Sequence, residues 1–204
     1  MAVVESQPSY YYSVLQGGHK TLCLLWILSV TLLGMGGLLR EKSAGVSSFT
    51  LALPVSRVRL MSVRIAMGSI QALALAVIPS SAMFITARIT GKADSVAQLW
   101  FHLFLLVGGG TVFFGLALLV SSLVEGEYTA PVVSFGIVIV GSALLSDPYH
   151  ESFSPWEFIA GSSYLDGRSQ MLVGPLPWMH VAVTTLLALV LLAMAVKAIQ
   201  RREF

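Results

Sequence analysis

The side chains that could do chemistry are few and scattered along the chain. The four histidines, His19, His102, His150 and His180, show no HExxH or similar spacing, so the sequence predicts no metal site. The single cysteine, Cys23, lies in an apolar run and has no second cysteine to pair with. No GxSxG motif accompanies the serines, which argues against a serine intramembrane protease, the enzyme alternative.

A phosphate-binding loop is also missing from the sequence. Nothing matches GxxxxGK[ST], and Gly91-Lys92-Ala93 is predicted to be only a turn. We therefore expect no catalytic residue, no resident cofactor and no ATPase site in this chain. Any ATP-driven activity would depend on ATP bound by a partner subunit. The basic residues face a membrane surface in the topology derived below, so nucleic acid is not an expected partner.

The composition is that of a membrane protein. Apolar residues make up 56% of the 204 residues and charged residues 11%, whereas charged residues are about a quarter of typical soluble domains. The mean hydropathy is +0.83. Because lipid offers no partners to backbone polar groups, spanning segments must be helices or closed barrels, and short separate strands cannot close a barrel here. We predict an all-α integral membrane protein.

Five uncharged apolar runs are long enough to cross the membrane as helices, which takes about 20 residues. They make residues 1–204 a single transmembrane domain, with spans near residues 21–39, 65–87, 99–124, 128–146 and 178–196. Only Glu125, Gly126 and Glu127 separate the third and fourth spans. We interpret this as a tight helical hairpin, with Pro131 in the first turn of the next helix; a re-entrant element is the alternative.

The basic residues predict the orientation of these spans. If the first span runs from outside to inside, eight basic residues are cytoplasmic: Arg40, Lys42, Arg57, Arg59, Arg64, Lys197, Arg201 and Arg202. Lys20, Arg88, Lys92 and Arg168 remain on the other side, with most of the acids. The positive-inside rule then places the N-terminus outside and the C-terminus in the cytoplasm. Residues 1–19 have no signal-peptide pattern.

The first cytoplasmic loop, residues 40–64, carries a short amphipathic segment. Val46, Phe49 and Leu53 share one face at helical spacing, and Pro54 ends the segment. Basic residues lie on both sides of it. Two interpretations fit the residues: a helix lying on anionic lipid, or a helix that docks its apolar face into a partner protein.

The stretch LLREKSAGVSSFTLALPVSRVRLMSVR in this loop resembles the cytoplasmic segment of type-2 ABC exporter permeases. The resemblance continues in the order of the spans, in the outer loop before the last helix and in the basic tail. It implies a permease subunit of an ATP-driven export complex in a bacterial plasma (inner) membrane. Its partners would be a separate ATPase subunit and a second permease chain, identical or different.

In that family this segment is the coupling helix, which contacts the ATPase. Carried over residue by residue, the resemblance implies that the ATPase contacts are Glu41, Lys42, Gly45, Phe49, Leu53, Pro54 and Arg57. The family has six spans per permease, so this chain would lack the first one. The alternatives are a truncated, inactive permease copy and a non-transporting membrane scaffold. A secondary transporter ranks last, because the spans contain no charged residue.

The outer loop, residues 147–174, resembles the family segment that closes the outer side of the pathway. Ser154-Pro155-Trp156-Glu157 has the pattern of a helix start. By the resemblance, Trp156, Phe158 and Ile159 would form an outer gate; interfacial helices without a gating role are the alternative.

Within the spans, two glycine-containing patterns concern helix packing. Small residues recur every four positions along one face of the second span, which favours close approach of a neighbouring helix: Gly68, Ala72, Ala76 and Ser80. Residues 108–110 are three consecutive glycines in the third span. They indicate either a hinge or packing against a bulky neighbour.

Overall fold

All secondary structure in the described part of the chain is α-helical. A computed structural model describes residues 10–35, 56–89, 96–124, 129–145, 159 and 177–201. These residues form α1 (Tyr10–Met35), α2 (Arg57–Ile89), α3 (Val96–Leu123), α4 (Thr129–Leu145) and α5 (Trp178–Arg201). An all-α protein with apolar helices is therefore confirmed.

Three of these helices meet the length and composition expected of a membrane span. They are the apolar parts of α2, α3 and α5: Val58–Thr86, Trp100–Leu123 and Trp178–Arg201. The apolar stretches of α1 and α4 are shorter, at Thr21–Gly34 and Pro131–Gly141. The number of helices that qualify by length is thus three in the described residues, fewer than the five predicted. The apolar stretch of α1 begins directly after Lys20, and the described part of the helix ends at Met35.

The second helix begins earlier than hydropathy predicts. Its first residue is Arg57, whereas the uncharged run begins at Ile65. Ser56 precedes the helix, and its side-chain oxygen accepts a hydrogen bond from the backbone N–H of Arg59 at 3.3 Å. The Ser56 carbonyl accepts another from the N–H of Leu60 at 3.1 Å. Ser56 is therefore the N-cap of α2, and basic residues occupy the first turns of the helix because long side chains reach toward water.

The helix α3 lies at the centre of the bundle. It packs against each of the other four helices, most extensively against α5 and then α1. In its most apolar part 67% of the residues are buried, against 22% in α2 and 11% in α5. The exposed sides of α2 and α5 carry large apolar residues such as Ile70, Ile78 and Leu186. These outer faces suit a lipid environment, in which apolar side chains need no cover.

Close contacts give the direction of each helix relative to α3. A Cβ atom at Gly34 of α1 would lie 2.8 Å from the Cβ of Ala117, and Gly110 faces Trp26, so α1 and α3 are parallel. Phe104 and Trp178 form an edge-to-face ring pair with centroids 5.4 Å apart.

The C-terminal half of α3 stays next to α5 as well. A Cβ atom at Gly115 would lie 3.1 Å from the Ala188 carbonyl oxygen. Because residue numbers increase together from the Phe104–Trp178 pair to the Gly115–Ala188 pair, α5 is also parallel to α3. The helix α2 is antiparallel to both α1 and α3, since Gly68 lies near Phe114 and Ala72 near Trp26.

Candidate functional site

Most of the residues implied to contact an ATPase lie outside the described part of the chain. Glu41, Lys42, Gly45, Phe49, Leu53 and Pro54 belong to this group. Arg57 is described as the first residue of α2. The two ends that the segment joins, Met35 of α1 and Arg57 of α2, are at the same end of the bundle because α1 and α2 are antiparallel.

The small residues predicted to pack on one face of α2 lie against α1 and α3. Gly68, Ala72 and Ala76 are buried and Ser80 is half-buried. A Cβ atom at Gly68 would lie 2.6 Å from Cζ of Phe114, which is closer than atoms approach without moving. The aromatic ring of α3 therefore occupies the space that a side chain at position 68 would need.

Trp26 joins the three helices α1, α2 and α3. Its side chain is 3% exposed, and its indole Nε1 donates a hydrogen bond to the Ala72 carbonyl oxygen at 2.9 Å. A Cβ atom at Gly110 would overlap the six-membered part of the indole ring. Buried tryptophan needs a partner for its N–H, and here the partner is helix backbone of α2. We refer to Trp26, Ala72 and Gly110 as the tryptophan joint.

The tryptophan joint accounts for one of the three consecutive glycines. Gly110 makes room for the Trp26 ring, and a Cβ atom at Gly108 would lie 3.3 Å from Cγ1 of Val181 in α5. The helix α3 continues without interruption through this region. Gly108 and Gly110 therefore pack against bulky side chains on two neighbouring helices, as the packing interpretation predicts.

The position of Trp26 in the sequence is an indication of the tryptophan joint that a hydropathy profile does not register. Tryptophan in membrane proteins is enriched at the interfaces, while Trp26 lies inside an apolar run, five residues from its start. A tryptophan at that position must find a hydrogen-bond acceptor inside the protein. Three glycines on another helix then indicate where a large ring could fit, although sequence alone does not pair the two.

One residue of the implied outer gate is described. Trp156 and Phe158 lie outside the described residues, whereas Ile159 is fully buried at 0% exposure. Its carbonyl oxygen accepts a weak hydrogen bond from the Sγ of Cys23, at 3.9 Å. This point of the outer loop therefore lies against α1, about one turn before Trp26.

An apolar groove of about 320 Å³ runs between α3 and α5. Val181 and Leu192 are near its two ends on α5, and the ring pair of Phe104 and Trp178 lies at one end. The hydroxyl of Thr111, which lines the groove, donates to the Gly108 carbonyl at 3.1 Å. Because the Thr111 hydroxyl is engaged within its own helix and most of the other lining residues are apolar, the groove offers mainly hydrocarbon to whatever enters it.

The described residues contain no group of three or more histidine, cysteine, aspartate or glutamate side chains that could hold a metal ion. His102 and His180 are half-buried residues on different helices. Neither aspartate nor glutamate occurs within the described ranges. The described residues therefore present packing surface, backbone carbonyls and basic side chains.

Basic residues are concentrated at one end of the bundle. Arg57, Arg59 and Arg64 lie in the first turns of α2, and Lys197 and Arg201 in the last turns of α5. These helix ends are together because α2 and α5 point in opposite directions. Arg88 lies at the other end of α2, with its guanidinium 5.9 Å from the centre of the Phe84 ring.

Comparisons with known proteins add nothing to this geometry: no family model, curated protein or solved structure matches the chain. Functional conclusions therefore depend on the chain's own residues.

Proposed function

We propose that this chain is the transmembrane permease subunit of an ATP-driven export complex of the type-2 ABC class. The observation that carries the proposal is the order of residues between α1 and α2: Arg-Glu-Lys after an apolar helix, a small residue and glycine, an apolar turn, then Leu-Pro-Val-Ser-Arg. The segment joins two helix ends at the basic end of the bundle. Ser56, in the last part of this motif, is the N-cap of α2.

The proposal includes five membrane crossings, so that α1 and α4 also span. Support for α1 is that it runs beside α3 from the Trp26–Gly110 contact to the Gly34–Ala117 contact. Support for α4 is topological. The helix α3 ends at one end of the bundle, while α5 begins beside Phe104 near the other end, so the chain must return between them.

The helix α4 is the described apolar helix in that interval. Its 17 residues correspond to a length of about 26 Å at 1.5 Å per residue. This is close to the roughly 30 Å of the hydrocarbon core, and small mismatches are accommodated by local thinning of the bilayer.

In the proposed complex the basic end of the bundle is cytoplasmic. The ATPase would contact residues 41–57, with Phe49 and Leu53 on the apolar face of the docking helix. ATP-driven movement of the ATPases would shift this segment and open the space between two permease chains. The helices α1 and α2 flank the segment and are joined by the hydrogen bond from Trp26 to Ala72. A movement of one of these helices would therefore also move the other.

The test is affinity purification of the full chain from its native membrane in mild detergent. We expect an ATPase subunit to co-elute in stoichiometric amount, and to be lost from Phe49→Asp/Leu53→Asp. The matched control is Ser47→Asp/Ser48→Asp, which adds the same charge on the other face of the amphipathic segment and should retain the ATPase. A well-folded chain that elutes without an ATPase would contradict the proposal and favour a membrane scaffold or an inactive permease copy.

A further inference from the structure

The outer face of α5 forms a continuous apolar stripe that no described residue covers. Its members recur at three- and four-residue spacing, so they share one face of the helix, and each is between 47% and 79% exposed: Met179, Val183, Leu186, Val190 and Met194. The opposite face, with Ala188, Ala195 and Ile199, is buried against the bundle. The stripe is therefore the side of α5 that faces away from the described bundle.

Lys197 and Arg201 continue the same face at the basic end of the bundle. They follow Met194 at spacings of three and four residues, and both are exposed. Side chains four apart on a helix are neighbours, about 5–6 Å apart at Cβ. The two cations can therefore approach one oxyanion together, immediately beyond the end of the apolar stripe.

No protein carboxylate in the described part of the chain neutralises this pair. The described ranges hold no aspartate or glutamate, and Arg59 adds a further exposed cation at the same end. In the sequence, Arg202 and Glu203 follow directly and their charges cancel, and the predicted segments at this end carry three further acids, Glu41, Glu125 and Glu127, against eight basic residues in all. The surface therefore combines a hydrocarbon stripe with an excess of positive charge at one end.

We propose that this face of α5 binds an anionic phospholipid, with the headgroup phosphate on Lys197 and Arg201 and an acyl chain along the stripe. One leaflet of the hydrocarbon core is about 15 Å deep, which corresponds to about ten helical residues. An acyl chain starting below Lys197 therefore lies along Met194, Val190 and Leu186. The inference does not depend on the proposed ATPase partner, because it uses only α5 and its charge.

The competing explanation is that Lys197 and Arg201 only stabilise the end of their own helix. Cations near a helix C-terminus interact favourably with its partial negative charge. That effect acts on folding in any detergent or lipid and requires no anionic lipid. A measurement of lipid preference therefore separates the two explanations.

The experiment is native mass spectrometry of the purified full chain, titrated in parallel with phosphatidylglycerol and with phosphatidylcholine of the same acyl chains. We expect phosphatidylglycerol to be retained in preference. In Lys197→Gln/Arg201→Gln its affinity should fall about 30-fold, because each basic residue at the surface contributes about 1 kcal/mol and 1.4 kcal/mol is tenfold. Phosphatidylcholine binding should not change.

Two control variants test whether the effect depends on charge at these two positions. Lys197→Arg/Arg201→Lys keeps both charges and should keep the preference. Arg88→Gln removes an exposed cation at the opposite end of the bundle and should leave this affinity as in the wild type. If the double glutamine variant does not purify folded, Lys197→Gln alone and a salt titration of the wild type serve instead, since the preference should weaken with ionic strength.

Three results would overturn the proposal. The first is equal retention of the two lipids by the wild type. The second is an undiminished phosphatidylglycerol preference in the glutamine variants. The third is an equal loss in Arg88→Gln, which would mean that net charge and not this face attracts the lipid.

Discussion

Trp26 of α1 contacts both α2 and α3. Its N–H is bonded to a backbone carbonyl of one helix and its ring fills the space left by a glycine of another. Helix association in lipid gains little from the hydrophobic effect, so close packing and interhelical hydrogen bonds carry more of the free energy. The tryptophan joint supplies both at one residue.

Replacing Trp26 by phenylalanine tests the tryptophan joint as a whole, because it removes the N–H donor to Ala72 and part of the ring that fills the space at Gly110. The variant keeps an aromatic ring but loses the N–H group that donates to the backbone carbonyl of Ala72 in α2. We expect a loss of about 1–3 kcal/mol in the free energy of unfolding, more than the average of about 0.6 kcal/mol for an interhelical hydrogen bond in membranes, because the smaller ring also leaves a cavity. Reversible unfolding in mixed micelles measures it. Trp100→Phe, at a position 65% exposed, is the control, and an equal loss there would argue against a special role for Trp26.

Adding one methyl group to Gly110 tests the ring contact. A Cβ atom at this position overlaps the Trp26 ring, so Gly110→Ala should destabilise the protein by about 1–3 kcal/mol, as overpacking does. Gly136→Ala is matched to it, because nothing lies within 4 Å of a Cβ atom at Gly136; this variant should be neutral or slightly stabilising. The same unfolding assay compares the two variants, and similar values for both would contradict the packing described for α3.

Among the helices, α3 and α5 form the most extensive pair, and their parallel register is specific. Phe104 lies against Trp178, Gly108 against Val181 and Gly115 against Ala188. The contacting positions on α5 are three and seven residues apart, so they share one face, as in helices that pack side by side along their length. The hydropathy pattern of neither helix identifies this contact face, because leucine and valine occur on all sides of both helices.

A disulfide between α3 and α5 tests that register. In a chain with Cys23→Ala, the pair Gly108→Cys/Val181→Cys should cross-link readily under mild oxidation, because a Cβ atom at Gly108 lies 3.3 Å from Cγ1 of Val181. Electrophoresis with and without reductant, after tagging of free thiols, measures the yield.

The control for register is Gly108→Cys/Ala195→Cys. These positions are separated by about 21 Å along α5, fourteen residues beyond Val181. Efficient cross-linking of this control pair, with none at Val181, would mean that the two helices are antiparallel.

For the molecule as a whole, the direction of the helices determines which ends share a side of the membrane. The starts of α2 and α4 and the end of α5 should lie on one side, and the start of α5 on the other. This arrangement puts the cations of α2 and α5 together. It also brings the end of α1 and the start of α2 to the same end of the bundle as Lys197 and Arg201.

Labelling of single cysteines from one side of the membrane tests the number of crossings. With Cys23→Ala as the background, an impermeant maleimide added to one side should modify both Thr129→Cys and Gln200→Cys, or neither. Trp178→Cys should show the opposite accessibility, because α4 carries the chain across between residues 129 and 178. If Thr129→Cys and Trp178→Cys were modified from the same side, α4 would not span and the five-crossing topology would be wrong.

Hydropathy along the chain is sufficient to predict an all-α membrane protein. Lipid offers no partners to the backbone, so long uncharged runs must be helical. It is less reliable at helix ends: α2 begins at Arg57, after the Ser56 N-cap, whereas a count of uncharged residues begins the span at Ile65. Three of the five predicted spans qualify by length among the described residues, and the spans at α1 and α4 stay predictions.

Which helix is central, and which glycine faces which ring, follows only from the tertiary structure. The physical reason is that lipid and protein interior are equally apolar, so a residue such as Leu106, which is buried, cannot be distinguished by type from Leu186, which is exposed. Packing shape makes the difference. The sequence contains Trp26 and Gly110 as separate features, and only the arrangement of α1, α2 and α3 brings them into contact.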